Sequence, residues 1–405
     1  MAKKGLIILI ALTLLVLTSA AEEFRFKYNY GEKYKLVTRV NENVYINGSF
    51  SHQAEILNKI AVEVVETRDE SGLLSCSFQT SERSYGIRGS FSLTEDYKSL
   101  FWRNAIGEYD IGEEYFMPVV RDVPIFPLED VEPGDSWVAV GEEVHDLRAS
   151  FGLKKPFRFP ISVHYNYTGD ETREGRTVAL IKIEYNFFQA VGRQNMSEPG
   201  DNYDRVPAKI AGSSEQLYYW DKENGNPLFY EEEFDFIFYL TSGEYVEYAG
   251  SAYGDFIESP DLNRERVVEE IERAIEESNI KGASVKSEEE GVTITLENIQ
   301  FLPDSPLLLE SEKAKLLRIA EILKTYPERD ILITGHTARV GTEESSQALS
   351  EERAKAVADF LLSLNVRDEM GIISRGFGSR KPIGDNSIEA GRLLNRRVEI
   401  TILEN

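Results

Sequence analysis

Two kinds of hydrophobic pattern divide the chain near Pro260. Before that point, short segments alternate apolar and polar residues, with turn residues between them at intervals of about 8 to 12 residues, which is typical of antiparallel strands. Residues 234–241 alternate in this way, and after Ser242-Gly243 the alternation resumes at Tyr245, which predicts a hairpin. After Pro260, alternating segments are separated by segments with apolar residues three or four positions apart, which indicates helices.

The pattern after Pro260 predicts an α/β sandwich over residues 261–405, a small sheet with helices on one face. Asp261 is the expected N-cap of the first helix, because a carboxylate accepts hydrogen bonds from free amides at a helix start. Ser350 is the expected N-cap of the last long helix, because its hydroxyl oxygen can accept such a hydrogen bond too. The predicted helices are 261–278, 311–326 and 350–364, and the predicted strands are 291–299, 331–334, 371–378 and 397–403.

The pattern before Pro260 predicts an antiparallel β region over residues 22–258, so the fold class is α+β with several domains. The region is expected to be a sandwich or half-barrel, in one lobe or in two (22–150 and 158–258), with a loop at 193–204. An outer-membrane barrel is the alternative. It is disfavoured because Lys59, Glu63 and Glu66 interrupt the unbroken apolar face that such a strand needs.

The first 21 residues follow the plan of a secretory signal peptide. Lys3 and Lys4 precede an apolar stretch at 5–17, and small residues follow at 18–21. We expect export with cleavage after Ala20 or Ala21, which places the mature protein in the periplasm or at the outer membrane.

Charge and composition narrow the functional classes. The net charge of −25 argues against nucleic-acid binding, because phosphate backbones attract basic surfaces. From Pro260 onward there are 28 acidic and 20 basic residues (net −8), which leaves 42 acidic and 25 basic residues (net −17) before it. Residues 353–397 reverse the trend, with nine basic and five acidic side chains. A cationic stretch therefore lies inside an acidic protein.

The residues that usually carry catalysis form no recognisable arrangement. Cys76 is the single cysteine, and His52, His145 and His164 are scattered without metal-ligand spacing. No phosphate-binding loop or nucleophile elbow is present in the sequence. We expect a protein that is not an enzyme and that has no cofactor and no metal site.

Five short motifs occur in order within the C-terminal region. They are Gly335-His336-Thr337, Gly341, Leu349-Ser350-Glu351-Glu352-Arg353-Ala354, Gly376-Phe377-Gly378 with Pro382, and Gly391-Arg392 with Asn395-Arg396-Arg397-Val398-Glu399. Their order and spacing resemble the OmpA-like domain family of peptidoglycan-binding proteins, and the resemblance covers residues 261–405. It implies a non-enzymatic cell-envelope protein.

The resemblance also implies a ligand site. The family's Leu-Ser-x-x-Arg-Ala arginine binds a carboxylate of diaminopimelate in the peptidoglycan stem peptide, and Arg353 matches it. The family's Asp after Gly-His-Thr is Ala338 here, and its Asn three residues before Leu-Ser is Ser346. The expected site residues, including these two departures, are Arg353, Thr337, Ala338, Ser346, Leu349, Ser350, Asn395 and Arg397.

The loss of the Asp at Ala338 leaves two hypotheses open. The site has lost affinity for peptidoglycan, or it binds a stem peptide with another diamino acid, such as the ornithine of spirochaete-type envelopes, whose OmpA-like proteins resemble this chain. The expected function is a peptidoglycan tether whose β region docks to another envelope protein or to the outer membrane. One alternative is a periplasmic β protein that carries a lipid or other ligand and whose OmpA-like domain has lost or altered peptidoglycan binding. The other is an outer-membrane barrel with a periplasmic foot.

Overall fold

The computed structural model describes residues 22–86, 88–148, 155–173, 175–191, 206–259, 261–297, 299–301 and 305–404. The expected signal peptide at 1–21 and the expected loop at 193–204 lie outside the described residues.

Long alternating segments form the β region, as predicted. Strand Phe157–Arg173 shows the reason: Phe157, Phe159, Ile161, Val163 and Tyr165 are buried, while the residues between them face outward. Because successive side chains in a strand point to opposite faces, this alternation gives one apolar face to the sheet. The predicted hairpin is confirmed, with Phe238 opposite Val246.

The strands of this region form one continuous antiparallel sheet. Its order is β5-β4-β3-β2-β1-β12-β11-β10-β9-β8-β7-β6. The strands are Lys33–Ile46 (β1), Ser49–Arg68 (β2), Ser71–Ser84 (β3), Phe91–Arg103 (β4), Tyr109–Asp110 (β5), Val120–Arg121 (β6), Ser136–His145 (β7), Phe157–Arg173 (β8), Arg176–Ala190 (β9), Pro207–Asp221 (β10), Asn226–Leu240 (β11) and Tyr245–Glu258 (β12). Strands β7 and β8 flank the expected lobe boundary and pair directly, so the sheet continues across it.

Aromatic side chains fill the inner face of this sheet. Phe24 and Phe26, just before β1, pack against Phe126 and Trp220, with ring centroids 4.7 to 5.6 Å apart. Large rings bury much apolar surface each, and tilted and edge-on contacts such as these are favourable. The segment between β4 and β7, which contains Phe126, therefore packs on this face of the sheet.

The C-terminal region forms an α/β sandwich with its own core, as predicted. The elements are α1 (Arg264–Glu277), β13 (Ala283–Glu288), β14 (Gly291–Glu297), α2 (Glu310–Leu323), β15 (Ile331–Gly335), α3 (Glu343–Ser363), β16 (Ile372–Gly376), α4 (Glu389–Asn395) and β17 (Arg397–Leu403). The sheet order is β13-β14-β17-β15-β16. Within the described part of the chain, no helix is both long enough and apolar enough to cross a membrane.

Both expected helix caps are wrong. The side chain of Asn263, not Asp261, caps α1 by accepting a hydrogen bond from the Arg266 amide (3.0 Å), while Asp261 pairs with Lys33 (2.8 Å). Helix α3 begins at Glu343, seven residues before the expected start at Ser350, and its N-cap is Thr342. Ser345 and Ser346 hid this start, because serine is a weak helix former whose hydroxyl competes for backbone hydrogen bonds.

The β region and the C-terminal domain are joined through their sheets. Strand β4 pairs in parallel with β16 at Phe91 and Ile373, and an apolar cluster surrounds this junction. Beside the cluster, Asp330 lies 3.0 Å from both Lys35 and Lys59. Burial alone would raise the pKa of Asp330, but the two ammonium groups outweigh burial and lower it.

Candidate functional site

Glycines in the motifs let helix α3 lie close to the central strands. A Cβ on Gly335 would stand 2.1 Å from the carbonyl oxygen of Ser350, and a Cβ on Gly376 would stand 2.5 Å from the Ser350 hydroxyl. Because real Cβ contacts are never this short, any side chain at either position would push the helix away. Two of the motifs therefore specify how α3 packs on β15 and β16.

Ser350 links α3 to the loop after β16. It is fully buried, and its Oγ donates a hydrogen bond to the Gln347 carbonyl (2.7 Å) and accepts one from the Gly378 amide (2.8 Å). Ser350 lies inside the helix and is not its N-cap, so the start of α3 and its free amides lie away from Arg353.

The loops that follow β15 and β16 are bonded to each other. The Thr337 amide donates to the Gly378 carbonyl (2.9 Å), and the Phe377 amide donates to the Gly335 carbonyl (3.0 Å). Since β15 and β16 are parallel, their carboxyl ends meet at one edge of the sheet, where ligands commonly bind in α/β folds. Thr337 and Ala338 are placed at this edge, and both are buried.

Ser346 and Leu349 lie on the same helix as Ser350. Ser346 is buried, and its Oγ lies 3.4 Å from the Val340 carbonyl, which ties the helix to the loop after β15. Leu349 is half-buried. The structure thus brings Thr337, Ala338, Ser346 and Ser350 together where helix α3 contacts the loops after β15 and β16.

Next to this edge, His336 and Arg397 share the carboxylate of Glu399. His336 Nε2 is 3.0 Å from Glu399 Oε2, and Arg397 Nε donates to Glu399 Oε1 at 2.7 Å. Burial alone would raise the pKa of Glu399, but the hydrogen bond from His336 and the charge of Arg397 hold it at about 2. Burial lowers the pKa of His336, so the neutral ring is favoured.

Asn395 has a structural role in the loop before α4. Its Oδ1 accepts hydrogen bonds from the amides of Ile383 and Gly384, and its Nδ2 donates to Gly384 and to Asn386 Oδ1, all at 2.8 to 3.0 Å. All four hydrogen-bonding positions of this buried amide, two acceptor and two donor, are used within the fold. Asn395 therefore shapes the loop and offers little to a ligand.

Arg353 lies on α3 three residues after Ser350, on the same face of the helix. It is half-buried, and its guanidinium stands 4.9 Å from the ring centre of Phe301, a cation–π contact. Phe301 was not among the expected site residues. Phe301 also packs against the core of the domain, and its contact with Arg353 joins distant segments, so no local pattern in the sequence marked it.

Basic side chains surround the strand-end loops. Arg339, Arg380 and Lys381 are exposed on the loops after β15 and β16, and Lys381 Nζ stands 3.8 Å from the ring centre of Phe377. Arg380 donates to Gln347 Oε1 (2.7 Å). Arg380 and Lys381 of the cationic stretch, together with Arg339, therefore form a basic rim at one edge of an acidic protein, which suits an anionic ligand.

The OmpA family model matches residues 300–396, the segment that holds all of these loops. The chain carries an OmpA family domain. Outer membrane porin F of Pseudomonas aeruginosa is 34% identical over 105 residues, which are 26% of this chain and 30% of that protein. A protein of Mycobacterium bovis named peptidoglycan-binding protein ArfA is 38% identical over 104 residues, 26% of this chain and 32% of that protein. The chain thus spans about a third of the length of these relatives.

Among solved structures, an outer membrane protein of Borrelia burgdorferi is 36% identical to the part of this chain that it matches. That part is 30% of this chain and 96% of the other, with a TM-score of 0.26.

Among the described residues, no group of three or more His, Cys, Asp or Glu side chains is placed to hold a metal ion. Cys76 is buried on β3, where burial raises the pKa of its thiol to about 12. The thiolate, the reactive form, is therefore disfavoured at this position.

Proposed function

We propose that the protein is a non-enzymatic component of the bacterial cell envelope that binds peptidoglycan stem peptides through its OmpA family domain. The observation that carries the proposal is the position of Arg353, three residues after Ser350, the residue that joins α3 to the loop after β16. A planar guanidinium can grip a carboxylate at two points, which is the geometry that a stem-peptide carboxylate offers.

The basic rim of Arg339, Arg380 and Lys381 supports the same proposal. Stem peptides carry several carboxylates, and the rest of this chain is acidic, so electrostatic attraction would direct such a ligand to this edge. The relative named peptidoglycan-binding protein ArfA adds support, because it is 38% identical to this chain over 104 residues. The proposed location is the periplasmic side of the envelope, with the protein held against the cell wall.

The choice of diamino acid depends on Ala338. An Asp at this position would supply an acceptor for a ligand ammonium, and a hydrogen bond to a charged group contributes about 1.5 to 3 kcal/mol. Ala338 is buried and apolar, so this contribution is absent. We propose that the site favours a stem peptide whose ammonium lies elsewhere, as in the shorter side chain of ornithine.

A muropeptide binding assay tests both parts. Wild-type protein, Arg353→Ala and Ala338→Asp are titrated with diaminopimelate and ornithine muropeptides. Arg353→Ala should weaken binding about tenfold or more, and Ala338→Asp should raise affinity for the diaminopimelate ligand. Arg273→Ala, which removes an exposed arginine of α1, is the matched control and should bind like wild type. Absence of binding to either muropeptide by the wild type would overturn the proposal.

A further inference from the structure

A cavity lies inside the β region, far in sequence from the motifs of the OmpA family domain. Its volume is about 220 Å³. One face of the sheet forms most of the wall, and Pro118, Val120, Val123 and Pro124 of the segment between β4 and β7 also line it. Ile60, Val62, Leu74, Phe78, Phe101 and Phe256 make much of the lining apolar.

One cation, Arg103, faces this apolar space from the end of β4. Its Nε donates to the Tyr28 hydroxyl (2.7 Å), and its guanidinium stands 4.0 Å from the ring centre of Phe26. Nη2 lies 3.5 Å from the Tyr34 hydroxyl, a long contact. Among the described residues, no carboxylate lies within 4.0 Å of Arg103, so its positive charge has no anionic partner there.

The other polar groups of the lining do not neutralise Arg103. Burial raises the pKa of the Tyr34, Tyr218 and Tyr230 phenols, so these remain uncharged. Glu232 also lines the cavity, but its Oε1 accepts hydrogen bonds from Ser214 (2.6 Å) and Gln216 (3.4 Å). A cation held among neutral rings is costly unless an anion compensates it.

We propose that the cavity binds a small aliphatic carboxylate, with the carboxylate on Arg103 and the chain against the apolar wall. The volume limits the size of the ligand: since a cavity of about 150 Å³ holds benzene, one of this volume holds roughly nine non-hydrogen atoms. Octanoate, a medium-chain fatty acid anion, matches this size and pairs one negative charge with an unbranched apolar chain.

Calorimetric titration of the protein with octanoate and 1-octanol tests the proposal. The two ligands share the chain and differ in charge, so wild-type protein should bind octanoate at least tenfold more tightly. Arg103→Met should lose this preference and keep its affinity for octanol, which also shows that the cavity remains folded. Arg39→Met, at an exposed position of β1, is the matched control and should keep the preference.

A second variant tests the place of binding. Leu74→Trp fills the cavity from β3 and should abolish binding of both ligands, while muropeptide binding by the OmpA family domain is unchanged. Absence of octanoate binding by the wild type, equal affinity for octanol and octanoate, or an unchanged preference in Arg103→Met would each overturn the proposal. None of these results bears on the muropeptide assay, so the two proposals fail separately.

Discussion

At the scale of single residues, the charged groups beside the strand-end loops control stability as well as the site. Glu399 is held ionised by His336 and Arg397, with a pKa of about 2 against an ordinary value of 4.5. A carboxyl whose pKa is lowered in the folded state stabilises that state above its ordinary pKa, and this contribution is lost as the pH falls toward the folded value. Burial lowers the pKa of His336, so acid below its ordinary value of 6.5 also favours unfolding.

Glu399→Gln should therefore lower the free energy of unfolding at pH 7 and flatten its fall between pH 4.5 and 2. The lowered pKa corresponds to about 3 kcal/mol at about 1.4 kcal/mol per pKa unit. Urea unfolding of wild type and variant over a series of pH values measures this. Glu352→Gln removes an exposed carboxylate from α3 and should leave the profile unchanged. Parallel profiles for Glu399→Gln and wild type would contradict the prediction.

At the scale of secondary-structure elements, helix α3 is held at two places. Its start is capped by Thr342, whose Oγ1 accepts a hydrogen bond from the Ser345 amide (3.2 Å), and its middle packs on Gly335 and Gly376. The early start adds two turns that carry Ser346 and Leu349. These turns bring the helix into contact with both strand-end loops, so the cap affects the candidate site.

Thr342→Ala should destabilise the protein by about 1 kcal/mol, within the range of about 0.5 to 2 for loss of a helix cap. Thr342→Ser keeps the hydroxyl and should recover most of the loss. Thermal unfolding measures both variants. Equal melting temperatures for the alanine and serine variants would show that the hydrogen bond to Ser345 contributes nothing.

At the scale of the whole molecule, the β region and the OmpA family domain share an interface that contains buried charges. Lys59 Nζ lies 3.0 Å from Asp330 and donates to the Met370 carbonyl (2.5 Å), while Lys35 reaches the same carboxylate. Beside them, Leu57, Phe91 and Leu93 of the β region pack against Leu332, Ile373 and Leu403. The candidate site of the OmpA family domain and the cavity of the β region are thereby held in a defined arrangement.

Asp330→Asn should uncouple the two parts, because it leaves two buried ammonium groups without a counter-ion. Removing one partner of a buried ion pair costs about 3 to 5 kcal/mol. Calorimetry should show one unfolding transition for the wild type and two for the variant. Asp261→Asn removes an exposed partner of Lys33 and should have little effect, since surface ion pairs contribute little. A single unshifted transition in Asp330→Asn would contradict the prediction.

Much of the candidate site could be predicted from the sequence, because its motif residues fulfil local requirements. The glycines at 335 and 376 permit close packing of α3 on the strands, and Asn395 forms hydrogen bonds with a nearby loop. The start of α3 could not be predicted, because helix propensity favoured the later position and packing on the strands overrode it. Phe301 and Glu399 were missed as partners because contacts between distant segments leave no periodic signal in a single sequence.

The sequence by itself determined the division near Pro260, the antiparallel β region, the α/β sandwich and the OmpA-like motifs. Each of these depends on local periodicity, on turn residues or on short spacings along the chain. Only the tertiary structure decided that the β strands form one sheet, that Asp330 joins the two parts, and that Arg103 faces an apolar cavity. These features depend on pairings between residues tens to hundreds of positions apart, which the order of apolar and polar residues does not specify.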